Sequence, residues 1–246
     1  GGYHGFDAAS DSGTAGTDSA ATADGSAGDD ESGDSSGGDD PPPAQCGGMV
    51  LDPGPNLARR LTVFEYANTV RAVLGVEVAD EARELLPAEL RADGFTNTAS
   101  GLITTLAHVE AYDALAELSV QRIGDLGGFV GQYTSCQDYE PACETEFVDN
   151  FGLRAFRRPL SEDERDILVS VFPTAQAEGE PFEVGAGLVI EAIMQSPPFL
   201  YRLEDERSGQ GARVLGGYEM ASRLSYLVWA GPPDDALLDA ASLDAL

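Results

Sequence analysis

The sequence predicts an all-α fold, about seven helices in a bundle-like arrangement after a disordered N-terminal spacer. Three observations predict it. From about residue 57 onward, apolar residues recur at spacings of three and four, the period of a helix with one buried face. Two of these runs open on Thr or Ser with Glu three residues later, the capping box that starts a helix. No stretch alternates apolar and polar residues for long enough to make a useful strand.

The spacer comes first. Residues 1–45 are mostly Gly, Ser, Ala, Thr and Asp, with no Leu, Ile, Val or Met. Such a segment cannot bury enough apolar surface to offset its ordering entropy. Its run DGSAGDDESGDSSGGDD invites a calcium reading, but acids at alternate loop positions, a central Gly and a closing Glu are not in register. A solvated spacer is the favoured reading, ended stiffly by Pro41, Pro42 and Pro43.

In LTVFEYANTVRAVLG, Thr62 and Glu65 form the first capping box. Phe64, Ala67, Arg71 and Leu74 follow one stripe, and Gly75 stands where a left-handed cap belongs. A less regular region with Pro87 and Gly94 follows. The segment LITTLAHVEAYDALAELSVQRI then reads as one long amphipathic helix. Its stripe is Leu102, Leu106, Val109, Tyr112, Ala116, Val120 and Ile123, ending near Gly127 and Gly128.

CETEFVDNFGLRAFRR is the next helix, with Phe147, Phe151, Ala155 and Phe156 inward and Pro159 as its stop. Ser161 and Glu164 cap another, which Pro173 kinks or ends. FEVGAGLVIEAIMQS is stopped by Pro197 and Pro198. The last two, YEMASRLSYLVWAG and DDALLDAASLDAL, are split by Pro232 and Pro233, with Asp234 as N-cap.

Charge narrows the partners. The 246 residues carry 43 acids and 14 basic residues, all of them Arg, for a formal net charge of −29. Ten of the acids and none of the arginines lie in residues 1–45, so the remainder is itself strongly acidic. That balance argues against nucleic acid and against anionic membrane surfaces as partners, because both need clustered positive charge. No apolar run reaches the roughly 20 residues of a transmembrane helix. No leader precedes Gly1, so either one has been removed or the chain is a fragment.

Cys136 and Cys143 enclose QDYEPA, a turn-like loop. In an exported protein this reads as a short disulfide loop; two unpaired thiols in a reducing compartment are the alternative. Cys46 follows acids and prolines rather than an apolar leader, so lipidation there is disfavoured; it stays free or pairs elsewhere. Metal ligation is disfavoured too, since the only histidines are His4 and His108.

The chain contains no G-x-S-x-G elbow, Walker loop, H-E-x-x-H or C-x-x-C-H, and no catalytic residue can be assigned. His108 is the one plausible base, and a structural role outweighs it because no nucleophile accompanies it. Tyr226 and Trp229 make a candidate stacking platform for a sugar. They share a helix with Leu224, Leu227 and Val228, and a place at the core edge is favoured. Arg154, Arg157 and Arg158 fall at i, i+3 and i+4 on one helix face and make a candidate anion clamp. The acids of SEDERD follow directly, so pairing within the chain is favoured over a ligand.

Three segments together carry a family resemblance. LTVFEYANTVRAVLG with GFTNTASGLITT, then RAFRRPL with SPPFLYR, then SRLSYLVW, resemble successive modules of exported multi-domain proteins of planctomycetes and myxobacteria. These modules are domains of unknown function 1587, 1595 and 1592. The resemblance implies residues 1–56 as spacer, 57–130 as the first helical module, 131–206 as the second, and 207–246 as the start of a truncated third. It implies an extracytoplasmic place in the periplasm or on the cell surface, with lipid anchoring through a residue upstream, and protein partners at the cell envelope. It carries over no catalytic residue. It implies no cofactor in this chain, although some relatives bear a c-type haem module, so haem c on missing modules or partners is an expectation. The function expected is an interaction or scaffold module. The alternative is a component of an extracytoplasmic oxidoreductase or polymer-degrading system.

Overall fold

A computed structural model describes residues 58–91, 94–204 and 214–246. The expected spacer and Cys46 lie outside these residues. The described chain is helical, as expected, with one two-stranded ladder.

Strand β1 (Arg59–Arg60) leads into helix α1 (Val63–Leu74). Thr62 caps α1: its hydroxyl accepts from the Glu65 N–H at 3.1 Å, and the Glu65 carboxylate accepts from the Thr62 N–H at 2.8 Å. Gly75 ends α1 at φ 71°, a left-handed conformation that favours glycine. The buried face of α1 is Tyr66, Ala67, Val70, Val73 and Leu74. It is rotated from the expected stripe, for Phe64 is 62 % exposed and Arg71 is exposed. Ala67 and Leu74 of the expected stripe are buried, and Tyr66, Val70 and Val73 complete the packed face in place of Phe64 and Arg71.

Helix α2 (Ala79–Leu85) occupies the region that reads as irregular, since a two-turn helix with one buried residue, Ala82, leaves little periodicity to detect. A 3-10 turn (Ala99–Gly101) precedes α3 (Leu106–Gln121). This helix begins four residues later than the long run suggests, because Thr104 and Thr105 are used outside it. The Thr104 hydroxyl meets the Tyr201 hydroxyl at 2.6 Å, and Thr105 meets His108. Leu106 and Val109 face outward, while His108, Ala111, Tyr112, Leu115, Ala116 and Ser119 are buried.

Short helix α4 (Leu126–Val130) runs straight through the glycines expected to end α3, with the Asp125 side chain accepting from the Gly128 N–H. Helix α5 (Pro141–Phe156) has Pro141 in its first turn, where a missing N–H costs nothing. Its inward residues, Phe147, Phe151, Ala155 and Phe156, are the expected ones. Helix α6 (Glu162–Val169) carries the second capping box, Ser161 with Glu164. Pro173 sits in the first turn of α7 (Phe172–Glu178), so the proline separates two helices instead of kinking one.

Helix α8 (Phe182–Gln195) is the centre of the packing. It contacts α3, α4, α5, α6, α7 and α9 (Pro197–Leu200). Gly185 permits the tight approach: a Cβ there would stand 3.0 Å from Phe172 and 3.1 Å from Tyr139. Pro197 and Pro198 open α9 as well as closing α8. Strand β2 (Tyr201–Arg202) then pairs antiparallel with β1, Arg59 opposite Arg202 and Arg60 opposite Tyr201. Two residues per strand leave no alternation for a sequence pattern to reveal. Helices α10 (Gly217–Trp229) and α11 (Asp235–Ser242) pack on each other.

One buried cluster runs from Leu61 to Tyr226 and includes residues of α1, α3, α5 and α8. Its densest part is aromatic. Phe147 and Phe151 stack with centroids 5.6 Å apart, and Tyr133 meets Phe151 edge-on at 5.3 Å. Among the described residues no helix is long and apolar enough to cross a membrane.

Candidate functional site

The three arginines of RAFRRPL do three different jobs. Arg154, on α5, pairs with Asp235 of α11 at 2.6 Å. Arg157 ends α5 in the left-handed conformation at φ 62°, and its side chain is 3 % exposed. Its guanidinium donates to the carbonyls of Pro198, Phe199 and Tyr201, at 2.5, 3.1 and 2.9 Å, and to the Tyr226 hydroxyl at 3.1 Å. Arg158 forms a two-pronged bond to Glu164, at 2.9 and 2.8 Å. Only Arg158 meets the acids of SEDERD in the way expected. Arg157 is removed from any shared face because the helix stops beneath it, and the left-handed backbone turns its side chain into the α9–β2 segment.

Arg158 holds the Glu164 carboxyl at about 2, well below its ordinary 4.5, with the Ser161 N–H helping against partial burial. A carboxyl depressed by folding contributes stability that is fully present above its unfolded value and is lost as pH falls through the folded one. The window therefore runs from about pH 4.5 down to about pH 2. Glu164→Gln is expected to cost about 1–2 kcal/mol at neutral pH, discounted for solvent screening, and to flatten the acid limb of a urea-denaturation series over that window.

The candidate platform residues differ in exposure. Tyr226 is buried, its hydroxyl shared between Thr69 at 2.8 Å and Arg157. Trp229 is 45 % exposed, and its indole N–H donates to the Pro232 carbonyl at 3.0 Å. Its helix neighbours Leu227 and Val228 are exposed with it. His108 is buried; its Nδ1 lies 2.9 Å from the Thr105 hydroxyl and accepts from the Thr105 N–H at 3.3 Å. Burial, then the positive charge of Arg60, lowers its pKa.

Cys136 and Cys143 are joined in a disulfide. The loop it closes carries Tyr139, whose hydroxyl donates to the carbonyls of Glu180 and Pro181 at 3.0 and 2.9 Å. The Tyr139 ring meets Phe172 and Phe182 edge-on. The disulfide loop is thus a strap across the junction of α7 and α8.

Sequence reasoning passed over a pair of arginines. Arg59 and Arg202 stand opposite each other on the β ladder and line a cavity of about 460 Å³ with Glu65, Glu204, Arg223 and Tyr226. Arg223 occupies both oxygens of Glu204, at 2.5 and 2.6 Å. Glu65 is held by the Thr62 N–H and more loosely by Arg59, at 3.4 Å. The Arg202 guanidinium lies over the Tyr226 ring, 5.3 Å from its centroid. The Nε atoms of Arg59 and Arg202 are buried without a hydrogen-bond partner. The sequence signal was only two dipeptides, Arg59-Arg60 and Tyr201-Arg202, 143 positions apart. Among the described residues no group of three or more His, Cys, Asp or Glu could hold a metal ion.

A helical protein with this arginine-tied junction and disulfide strap divides into three recognisable segments. Residues 59–124 match the family model described as a protein of unknown function (DUF1587), residues 143–204 that of DUF1595, and residues 215–246 that of DUF1592. The chain therefore has the domain composition DUF1587–DUF1595–DUF1592, each a domain of unknown function. No curated protein and no solved structure matches it.

Proposed function

We propose that the chain is the helical interaction module of a multi-domain, extracytoplasmic cell-envelope protein, held away from its attachment by the acidic N-terminal spacer. The observation that carries this reading is the disulfide at Cys136 and Cys143, whose loop straps the α7–α8 junction. Disulfides persist in oxidising compartments, and this one contributes to the fold. The buried polar side chains support a framework role. Arg157 is fully engaged by carbonyls of the α9–β2 segment and by Tyr226, and His108 is bound to Thr105 at the start of α3. Helix α10 meanwhile leaves Leu227, Val228 and Trp229 exposed on a strongly acidic chain. That combination suits a protein partner whose contact face is apolar with a rim of Lys and Arg.

The disulfide gives the test. Protein recovered from its native cells should be found in the envelope fraction, with an intact mass lower by two thiol hydrogens. Recovery from the cytosol with both thiols free would overturn the compartment. Cys136→Ser with Cys143→Ser should cost roughly 2–3 kcal/mol in urea denaturation, by loop-closure entropy for so short a loop. A photo-cross-linking residue at position 227 should capture one defined envelope protein that a control at exposed Ile167 does not. Equal labelling from both positions would overturn the interaction surface.

A further inference from the structure

Two arginines directly opposite each other on an antiparallel ladder repel, and like charges at such positions are unfavourable. The chain is rich in acids, yet no described carboxylate lies within ion-pair distance of Arg202. Its guanidinium rests on the Tyr226 ring with a buried, unpartnered Nε. Arg59 reaches Glu65 through one long contact, and its own Nε is also buried and unpartnered. Buried donors left without partners cost free energy, and the two arginines that carry them line one cavity, where an acceptor can meet the rest of each guanidinium.

The charges around the cavity set the acceptor's valence. Glu204 is neutralised by Arg223 on both oxygens, and Glu65 is satisfied by the Thr62 N–H and Arg59. Glu219 lines the same cavity, one of its oxygens accepting from the Gly216 N–H at 2.8 Å. Three arginines and three glutamates line the cavity, and Arg202 is the one guanidinium among them that no described carboxylate meets within ion-pair distance. A monoanion matches it, whereas a phosphate dianion would meet three nearby glutamates. Planar guanidiniums bind carboxylates in a two-pronged geometry, and Leu203, Leu227 and Tyr226 supply apolar walls for a ligand body.

We propose that this cavity binds a small organic monocarboxylate, with the carboxylate bridging the guanidiniums of Arg59 and Arg202. The site goes beyond the interaction role, shares Leu227 with the proposed partner face, and is tested on the isolated chain without a partner. Its volume, about 460 Å³, accommodates a body the size of a monosaccharide.

The test is a titration of the full chain with sodium glucuronate at constant ionic strength, following the arginine Nε–Hε resonances by NMR. The expected result is a saturable shift of the Arg59 and Arg202 signals, with the Arg157 signal unmoved as an internal control for the fold. Arg202→Gln should weaken binding by at least about tenfold, the consequence of losing a charge-assisted pair. A shift that does not saturate, or that sodium chloride reproduces, overturns the site. Tighter binding of inorganic phosphate than of glucuronate overturns the monocarboxylate class. Should Arg202→Gln fail to fold, the wild-type titration alone decides.

Discussion

Arg157→Ala is expected to destabilise the protein by about 3–5 kcal/mol, the range for removing one partner of a buried charged hydrogen-bond network. The side chain is 3 % exposed and satisfies three backbone carbonyls and the Tyr226 hydroxyl. Those carbonyls belong to the α9–β2 segment, which Phe199 and Leu200 anchor in the core and the β ladder holds to β1, so the fork adds the polar tie to the end of α5. Deleting the fork takes the donor from three carbonyls and leaves the Tyr226 hydroxyl with Thr69. Neighbouring arginines serve as controls. Arg154→Ala removes a half-exposed ion pair with Asp235 and should cost no more than about 1 kcal/mol. Arg157→Lys supplies a point charge in place of a planar fork and should recover only part of the loss. Arg157→Gly relieves the left-handed backbone, by about 1–2 kcal/mol, without restoring any hydrogen bond. Urea midpoints for the four variants rank these contributions. Equal losses at 154 and 157 would refute the assignment of Arg157 as the junction residue.

What the sequence made legible follows the range of the interaction. The two capping boxes join residues three apart, Thr62 with Glu65 and Ser161 with Glu164, and both are present. The disulfide joins residues seven apart, and its spacing was enough once an oxidising compartment was assumed. Arg158 with Glu164 is also local, six residues apart. Arg157 is different, for its partners lie 41 to 69 positions downstream. Nothing near it marks the turn into a left-handed cap, a conformation for which glycine is the usual signal. The faces of α1 and α3 were misread only in part, for Ala67, Leu74, Tyr112 and Ala116 are buried as expected. Phe64, Leu106 and Val109 are large and apolar yet exposed, while the buried side of α3 includes His108, Ser119 and small alanines. Periodicity weights residue type, and here a few large apolar residues lie on the solvent side while polar and small residues share the buried side with Tyr112 and Leu115. The cavity at Arg59 and Arg202 depends on strand register between segments 143 residues apart, so only the folded chain could reveal it.

The aromatic cluster is where the largest packing loss should occur. Phe151 is fully buried and stacks on Phe147, with Phe129 at 6.1 Å and Tyr133 at 5.3 Å, both edge-on. Phe151→Ala removes a whole ring from between these three neighbours and should cost about 3–5 kcal/mol, the transfer free energy plus the cavity left behind. Collapse into the space is restricted. On the far side of Phe147 stands Phe172, which is held in turn by Phe182 and by Tyr139 of the disulfide loop. The strap therefore stiffens the same cluster that Phe151 fills, and the two losses should couple. In a double-mutant cycle, Phe151→Ala together with Cys136→Ser and Cys143→Ser should depart from additivity by about 0.5 kcal/mol or more, because residues sharing one packed cluster do not act independently. Phe151→Leu, which keeps most of the volume, should cost less than about 1.5 kcal/mol. Strict additivity of the ring deletion and the disulfide deletion, at unchanged denaturant slope, would show that the strap and the aromatic cluster are separate devices.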